Sequence, residues 1–212
     1  MKSVSNLILS IISFLFIISI SVIITLNFRP LYYFDMEYLD IPAQANMDPS
    51  TVRENYDALI DYNSFFNQEE LQFPTLPQSE SGRTHFAEVK RIFVGFQYAA
   101  VILFILLVPI TVFQAWKHDF TFLKYTGILT LIVPAVLAAA IALNWQRVFV
   151  LFHEIVFRND FWLFDPATDP VITILPDTFF MHCAGMILGG VVLMGVGCMV
   201  IYRKVRRKKR GK

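Results

Sequence analysis

The sequence predicts an all-α membrane protein with four transmembrane helices. Of its 212 residues, 56% are hydrophobic, which is a share typical of membrane proteins. Four apolar runs are each long enough to cross a bilayer, which takes about 20 helical residues. Charge is divided unevenly between the segments that connect these runs, and this division predicts the orientation of the helices. We place the spans at residues 7–26, 92–113, 125–143 and 179–202.

The first apolar run, residues 7–26, is predicted to be a retained helix and not a cleavable signal. It is longer than the roughly 7 to 15 residues of a signal-peptide core. The residues that follow it, Asn27-Phe28-Arg29-Pro30, offer no small-x-small cleavage site.

The charges of the connecting segments predict that both termini are cytoplasmic. The tail, residues 203–212, holds eight cations and no anion, whereas residues 28–91 hold five cations against eleven anions and residues 144–178 two against five. Because cytoplasmic loops carry the excess of Lys and Arg, we expect the two acidic segments to form an extracellular cap on a single membrane domain. The basic tail is expected to bind anionic membrane lipid and not nucleic acid.

The first connecting segment, residues 28–91, is long enough to carry structure of its own. Its opening, residues 31–38, is aromatic and acidic and is typical of an interfacial segment. After Pro49 the apolar residues recur near helical spacing, which predicts a helix lying over the membrane that Asp48 or Ser50 can cap. The residues with this spacing are Val52, Tyr56, Leu59, Ile60 and Phe66.

His85 lies shortly before the second span. Ser81 or Thr84 can cap a helix that runs on into this span, and His85 then sits one or two turns outside the hydrocarbon. A single histidine at a membrane surface is more often a surface residue than a catalyst, so its significance depends on what lies near it.

The second connecting segment gathers polar side chains between two long apolar stretches. A helix is predicted through about Phe157, and it places Gln146, Phe149 and His153 on one side. Ionisable groups near hydrocarbon are costly and mark functional sites; a hydrated loop at the bilayer surface is the alternative. The polar and aromatic candidates that follow His153 are Asn159, Asp160, Trp162 and Asp165.

Three of the four histidines, namely His85, His153 and His182, are predicted on the outer side. Two spans separate His85 from His153, and such a pair returns the chain to the same surface, so these two can approach each other. We interpret His182 as a polar group at the headgroup level, and His118, in the short inner loop, as solvated.

No nucleophile stands out in the sequence. There is no Gly-x-Ser-x-Gly elbow and no His-Glu-x-x-His zinc signature, and the outward segments contain no cysteine. Cys183 and Cys198 lie on the fourth span about 22 Å apart, beyond disulfide reach. Imidazoles and carboxylates can still act by general acid–base catalysis on a substrate that brings its own nucleophile. Because the site is predicted at the outer leaflet, we expect a lipid substrate. We expect neither a metal nor a cofactor.

Three other classes of protein remain open at this point. In a haem or quinone redox protein, His85 and His153 would be axial ligands, although both lie near helix ends and not at mid-membrane. A metal-dependent lipid hydrolase is also possible. In a non-enzymatic four-helix scaffold of tetraspanin type, disulfide bonds would stabilise the large outer loop. This loop has no cysteine, which argues against the scaffold.

Three stretches resemble the bacterial lipoprotein intramolecular transacylase family of small four-helix membrane proteins. They are residues 55–62, residues 85–90, and Phe152-His153-Glu154-Ile155 leading to Asn159-Asp160-x-Trp162-x-x-Asp165-Pro166-x-x-Asp169. The resemblance covers essentially the whole chain, and the last motif is the specific one. Glu88 stands where Asp is more often expected, and the charge is retained.

The resemblance implies a transferase of the bacterial cytoplasmic membrane with its active site on the outer face. Such enzymes move the sn-2 acyl chain of a diacylglyceryl-modified lipoprotein to its N-terminal α-amine, which gives the lyso form. The two essential histidines of the family correspond to His85 and His153. We expect Asn159, Asp160 or Asp165 to orient an imidazole or line the oxyanion site, with Trp162 in support. The oligomeric state is left open.

Overall fold

The computed structural model describes residues 2–210, with side chains described for residues 4–207. Residues 211 and 212 of the predicted basic tail lie outside the described residues, as do the side chains of Lys2 and of residues 208–210. The described chain contains eight α-helices, one 3₁₀ helix and no strand, which confirms the all-α prediction. The helices are α1 Lys2–Asn27, α2 Arg29–Tyr38, α3 Ile41–Ala45, α4 Pro49–Tyr62, α5 Glu80–Trp116, α6 Thr121–Leu143, α7 Trp145–Val156 and α8 Asp177–Arg210, with the 3₁₀ helix at Pro170–Ile174.

Four of these helices, α1, α5, α6 and α8, are long and apolar enough to cross a membrane, as predicted. Helix α5 has 37 residues, which at 1.5 Å per residue is about 55 Å. The hydrocarbon core of a bilayer is only about 30 Å thick. The charged beginning of α5, residues 80–91, therefore extends beyond its apolar section, which starts at Ile92. The cytoplasmic position of the termini and the extracellular cap stay predictions.

The chain divides into two compact units. The first comprises the chain up to Val22, Phe96–Leu143, and the chain from Gly185 onward; the second comprises Ile23–Gly95 and Asn144–Ala184. Each unit has a buried core of its own.

The core of the second unit is built around Tyr32 of α2, which is fully buried. Its ring stacks on that of Tyr56 from α4 with centroids 3.6 Å apart, and its hydroxyl donates to the Ile174 carbonyl at 2.8 Å. The segment predicted to be interfacial is thus a helix with one face in a protein core. Helix α4 ends at Tyr62, so Phe66 lies beyond it and is 81% exposed.

The first unit is held together by small and polar residues between long apolar helices. Ser10 of α1 donates through Oγ to the carbonyl of Phe122 at 2.9 Å, which ties α1 to α6. Helices α6 and α8 approach closely where Gly127 faces the Met199 side chain and where Gly195 faces Thr130. Small residues allow this approach between membrane helices.

Candidate active site

The start of α5 fixes where His85 lies. The helix begins at Glu80, and the Gly82 N–H donates to Ser79 Oγ at 3.0 Å. Ser79 is therefore the residue that caps the helix. The prediction that Ser81 or Thr84 caps it is wrong, because both lie inside the helix.

Asp169 anchors this same helix start to the loop that precedes the 3₁₀ helix. Its carboxylate is buried, accepts the Ser79 N–H through Oδ1 at 2.8 Å and accepts the Thr168 hydroxyl through Oδ2 at 2.8 Å. A Cβ at Gly82 would collide with Asp169 Oδ1, so only glycine lets the carboxylate approach the helix this closely. The sequence indicated a turn at Asp169. In the structure, this residue also fixes the start of the helix that carries His85.

Helix α7 presents His153 near its end. Asn144 caps the helix by accepting the Arg147 N–H at 2.9 Å, and the helix ends at Val156, one residue before the predicted limit. The His153 Nδ1 atom lies 2.8 Å from the Phe149 carbonyl oxygen. Because a carbonyl oxygen only accepts, Nδ1 carries the hydrogen. In the neutral ring, Nε2 is then the nitrogen with a free lone pair.

The rings of His85 and His153 lie close together, as predicted from the sequence. Their centroids are 6.2 Å apart and their planes are inclined by 29°. Phe157 packs against both, at 4.7 Å from His85 and 5.6 Å from His153. The surrounding rings, which we call the aromatic enclosure, are Phe149, Phe157, Trp162 and Phe164.

Burial favours the neutral form of both imidazoles. His85 lies in the charged part of α5 outside its apolar section, is only 5% exposed, and its Nδ1 has no hydrogen-bond partner among the described residues. This burial lowers the pKa of His85, and proximity to His153 lowers it further. Burial also lowers the pKa of His153, although the Phe149 carbonyl and the charge of Asp177 oppose the shift. Both rings are thus kept neutral near pH 7, and each then has one ring nitrogen without a proton.

The polar candidates that follow α7 contact the scaffold and not the imidazoles. Asn159 donates through Nδ2 to the Glu88 carboxylate at 3.0 and 3.2 Å. Asp165 accepts the Ala167 N–H through Oδ1 at 2.9 Å, which closes a turn. Asp160 is exposed. Of the four candidates, only Trp162 contacts a histidine ring, that of His153 at 4.7 Å between centroids.

His182 has a partner that the sequence did not indicate. Its Nδ1 lies 2.8 and 2.9 Å from the two carboxylate oxygens of Asp35, which is fully buried. Since the carboxylate accepts, His182 donates. The histidine interpreted as a headgroup-level polar group therefore joins α8 to α2 within the core of the second unit, and the residue pair is 147 positions apart.

Comparison with known proteins gives consistent results. A family model described as lipoprotein intramolecular transacylase Lit matches residues 7–180. The in meso structure of the membrane integral lipoprotein intramolecular transacylase Lit from Bacillus cereus is 37% identical, with a TM-score of 0.97 over 100% of this chain and 99% of that chain. Structures of the same protein with an H85R or an H85A mutation have TM-scores of 0.89 and 0.90, also at 37% identity. These two matches cover 99% and 100% of this chain, and 94% and 96% of those chains. A search of curated proteins found no significant match.

Proposed function

Because the chain belongs to the lipoprotein intramolecular transacylase Lit family, we propose that it converts diacylglyceryl lipoproteins into their lyso form. The sn-2 acyl chain leaves the glycerol oxygen of the N-terminal diacylglyceryl-cysteine and is transferred to the α-amine of the same cysteine. Family membership makes the chain a membrane-integral acyltransferase and sets aside the redox, hydrolase and scaffold interpretations. The observation that carries the proposal is the pairing of His85 with His153 in one aromatic enclosure.

The substrate supplies both reacting groups in this reaction. Because the amine and the ester belong to one molecule, holding them in attack geometry replaces an encounter between two molecules, and effective molarities of about 10⁵–10⁸ M are reached in well-oriented cases. An enzymic nucleophile is then unnecessary. The protein then needs to supply only proton transfer. The imidazoles of His85 and His153, which lie among apolar rings, are suited to this task.

The proton movements assign a role to each histidine. A C–N bond forms between the α-amine and the ester carbonyl carbon, and the bond from that carbon to the glycerol oxygen breaks. His85, kept neutral by burial, takes the proton that the ammonium or attacking amine must lose. The neutral His153 ring carries its hydrogen on Nδ1. Once His153 has also gained a proton at Nε2, it polarises the carbonyl or gives that proton to the leaving alkoxide. Starting from the free amine, His85 takes up one proton and His153 delivers one, so proton transfer from His85 to His153 restores the starting state. Starting from the ammonium, one further proton leaves to solvent before the amine attacks.

The remaining candidates are assigned positioning roles. Asn159 holds the loop after α7 against Glu88, and Trp162 packs on His153. Asp165 shapes the turn that follows. A carboxylate beside a developing oxyanion would repel it, so we place neither Asp160 nor Asp165 at the oxyanion; exposed Asp160 is better suited to attract the substrate ammonium.

We place the enzyme in the bacterial cytoplasmic membrane with the site on its outer face. The support is the charge division of the sequence, since both histidines lie in or beside the acidic connecting segments, 28–91 and 144–178, and the basic tail lies at the other end of the last span. Lipoproteins anchored in the outer leaflet could then reach the site from within the membrane.

The test is the fate of the N-terminal lipopeptide of a diacylglyceryl lipoprotein co-expressed with this protein. Transfer within one molecule leaves the mass unchanged, so the product is identified by mild alkaline treatment before mass spectrometry. This treatment removes both ester-linked chains from the substrate, whereas the product keeps one chain as an amide. A substrate with different chains at sn-1 and sn-2 shows which chain has moved.

Three single variants complete the experiment. We expect His85→Ala and His153→Ala to abolish the amide-linked chain at normal protein levels, and His118→Ala, in the short inner loop, to retain it. Wild-type conversion by either of the first two variants would contradict the assignment of roles. Transfer of the sn-1 chain would contradict the proposed reaction.

A further inference from the structure

A basic cavity lies between the beginning of α6 and the C-terminal part of α8, within the first unit. Its volume is about 350 Å³. We propose that it binds the phosphate headgroup of one anionic phospholipid of the surrounding bilayer. The residues that line it are Lys124, Met199, Tyr202, Arg203, Arg206 and Arg207.

The packing of α6 against α8 builds this cavity. The helices run antiparallel, because Thr130 faces Gly195 while Gly127, earlier in α6, faces Met199, later in α8. Continuing this register by one turn brings Lys124 opposite the stretch that begins at Tyr202. The cavity therefore lies where the close contact ends, and Met199 and the four cations are among its lining residues.

The four cations of the cavity have no anionic partner in the part of the chain that the structure describes. None of Lys124, Arg203, Arg206 and Arg207 takes part in a salt bridge among the described residues, and no acidic residue lines the cavity. Arg203 lies three and four residues from the other two arginines, a spacing at which like charges on a helix destabilise each other. An anion bound between them removes this repulsion.

A lipid phosphate suits the position and the chemistry of this cavity. It lies at the ends of two helices that are apolar enough to cross a membrane, where phospholipid headgroups are concentrated. Basic pockets between membrane helices bind anionic headgroups in this way, and the guanidinium fork matches phosphate oxygens with paired hydrogen bonds. Tyr202 adds a hydroxyl and a ring, which favour the headgroup zone. This inference is independent of the proposed acyl transfer.

The experiment counts lipids retained by the purified protein in native mass spectrometry after exchange into mixed micelles of phosphatidylglycerol and phosphatidylcholine. We expect the wild-type protein to retain one phosphatidylglycerol in preference to phosphatidylcholine. The double variant Lys124→Gln/Arg206→Gln should lose this preference by about thirtyfold, given the usual contribution of each cation near a lipid surface. The matched control is Lys117→Gln/Lys204→Gln, which removes the same charge outside the cavity and should keep the preference.

Two further measurements make the outcome decisive. The unfolding temperatures of both double variants are compared with the wild type, and Arg206→Gln alone replaces the double variant if that one does not fold. Equal losses in the cavity and control variants would overturn the proposal, since attraction would then be spread over the whole basic surface. Binding of water-soluble glycerol phosphate as tightly as of the lipid would overturn the assignment to a membrane lipid.

Discussion

Asn159 donates through its side-chain amide to both carboxylate oxygens of Glu88, at 3.0 and 3.2 Å. Glu88 follows His85 by three residues on α5, and Asn159 follows His153 by six. This hydrogen bond therefore connects the two segments that carry the histidines, and we expect it to help fix the distance between the imidazoles.

Reversing this hydrogen bond tests its positioning role. In Asn159→Asp, two carboxylates face each other, and we expect acyl transfer to fall by about tenfold or more, because a charged hydrogen bond worth about 1.5–3 kcal/mol becomes a repulsion. Adding Glu88→Gln restores an amide opposite a carboxylate with the donor on the other side. The double variant should recover most of the activity, measured as amide-linked chain per unit of protein. Failure of the double variant to exceed Asn159→Asp would show that the pair does not act through this contact.

The depressed histidine pKa values predict a dependence of stability on pH. Burial lowers the pKa of His153 below the unfolded value of 6.5, so the folded state favours the neutral ring. The resulting stability is present above pH 6.5 and is lost as pH falls through the folded-state pKa. NMR of ring-labelled histidine should give a His153 midpoint below 6.5.

The charge of Asp177 offers a control within the same titration. Asp177 raises the pKa of His153, so Asp177→Asn should move the midpoint to a still lower pH. Glu154→Gln, beside His153 in sequence but exposed, should leave it unchanged. A rise of the midpoint in Asp177→Asn would contradict the electrostatic account.

Gly82 should not tolerate a side chain. A Cβ there collides with the Asp169 carboxylate, and overpacking of this kind costs about 1–3 kcal/mol. We expect Gly82→Ala to lower the unfolding temperature and to reduce activity through displacement of α5. Gly95→Ala, on the same helix with nothing within 4 Å of the added carbon, is the matched control and should unfold like the wild type.

The Asp35–His182 pair should be necessary for stability. His182→Ala leaves a fully buried carboxylate without its partner, and breaking a buried pair costs about 3–5 kcal/mol. Because the His182 side chain is 31% exposed, we expect the lower end of this range. Asp35→Asn keeps an acceptor for the histidine N–H and should cost less. Thermal unfolding in detergent gives the order, and equal stability of His182→Ala and wild type would contradict it.

The four long helices could be predicted from the sequence because a helix needs about 20 apolar residues to cross a bilayer. The approach of His85 to His153 could be predicted as well, since two spans return the chain to one surface. The ends of the helices were predicted less accurately. Ser79 caps α5, in place of the predicted Ser81 or Thr84. Several neighbouring residues carry a hydroxyl, and the sequence does not show which of them caps the helix.

The partners of the site residues could not be predicted. His153 is held by a backbone carbonyl, that of Phe149, and a carbonyl belongs to every residue type. Asp35 and His182 are 147 positions apart, and nothing local in the sequence connects them. Asp169 lies in a segment rich in Asp and Pro, where an aspartate in a turn and a buried aspartate give the same pattern.

The aromatic enclosure bears on chemoselectivity. His85 is 5% exposed and aromatic rings surround it. In the proposed reaction, few polar groups beside the ester would therefore hold a water molecule, whereas the attacking amine is part of the same substrate molecule. Aminolysis is then favoured over attack by solvent. Under the proposed reaction, the enzyme would rearrange the lipid anchor of its substrate and keep every acyl chain on that substrate.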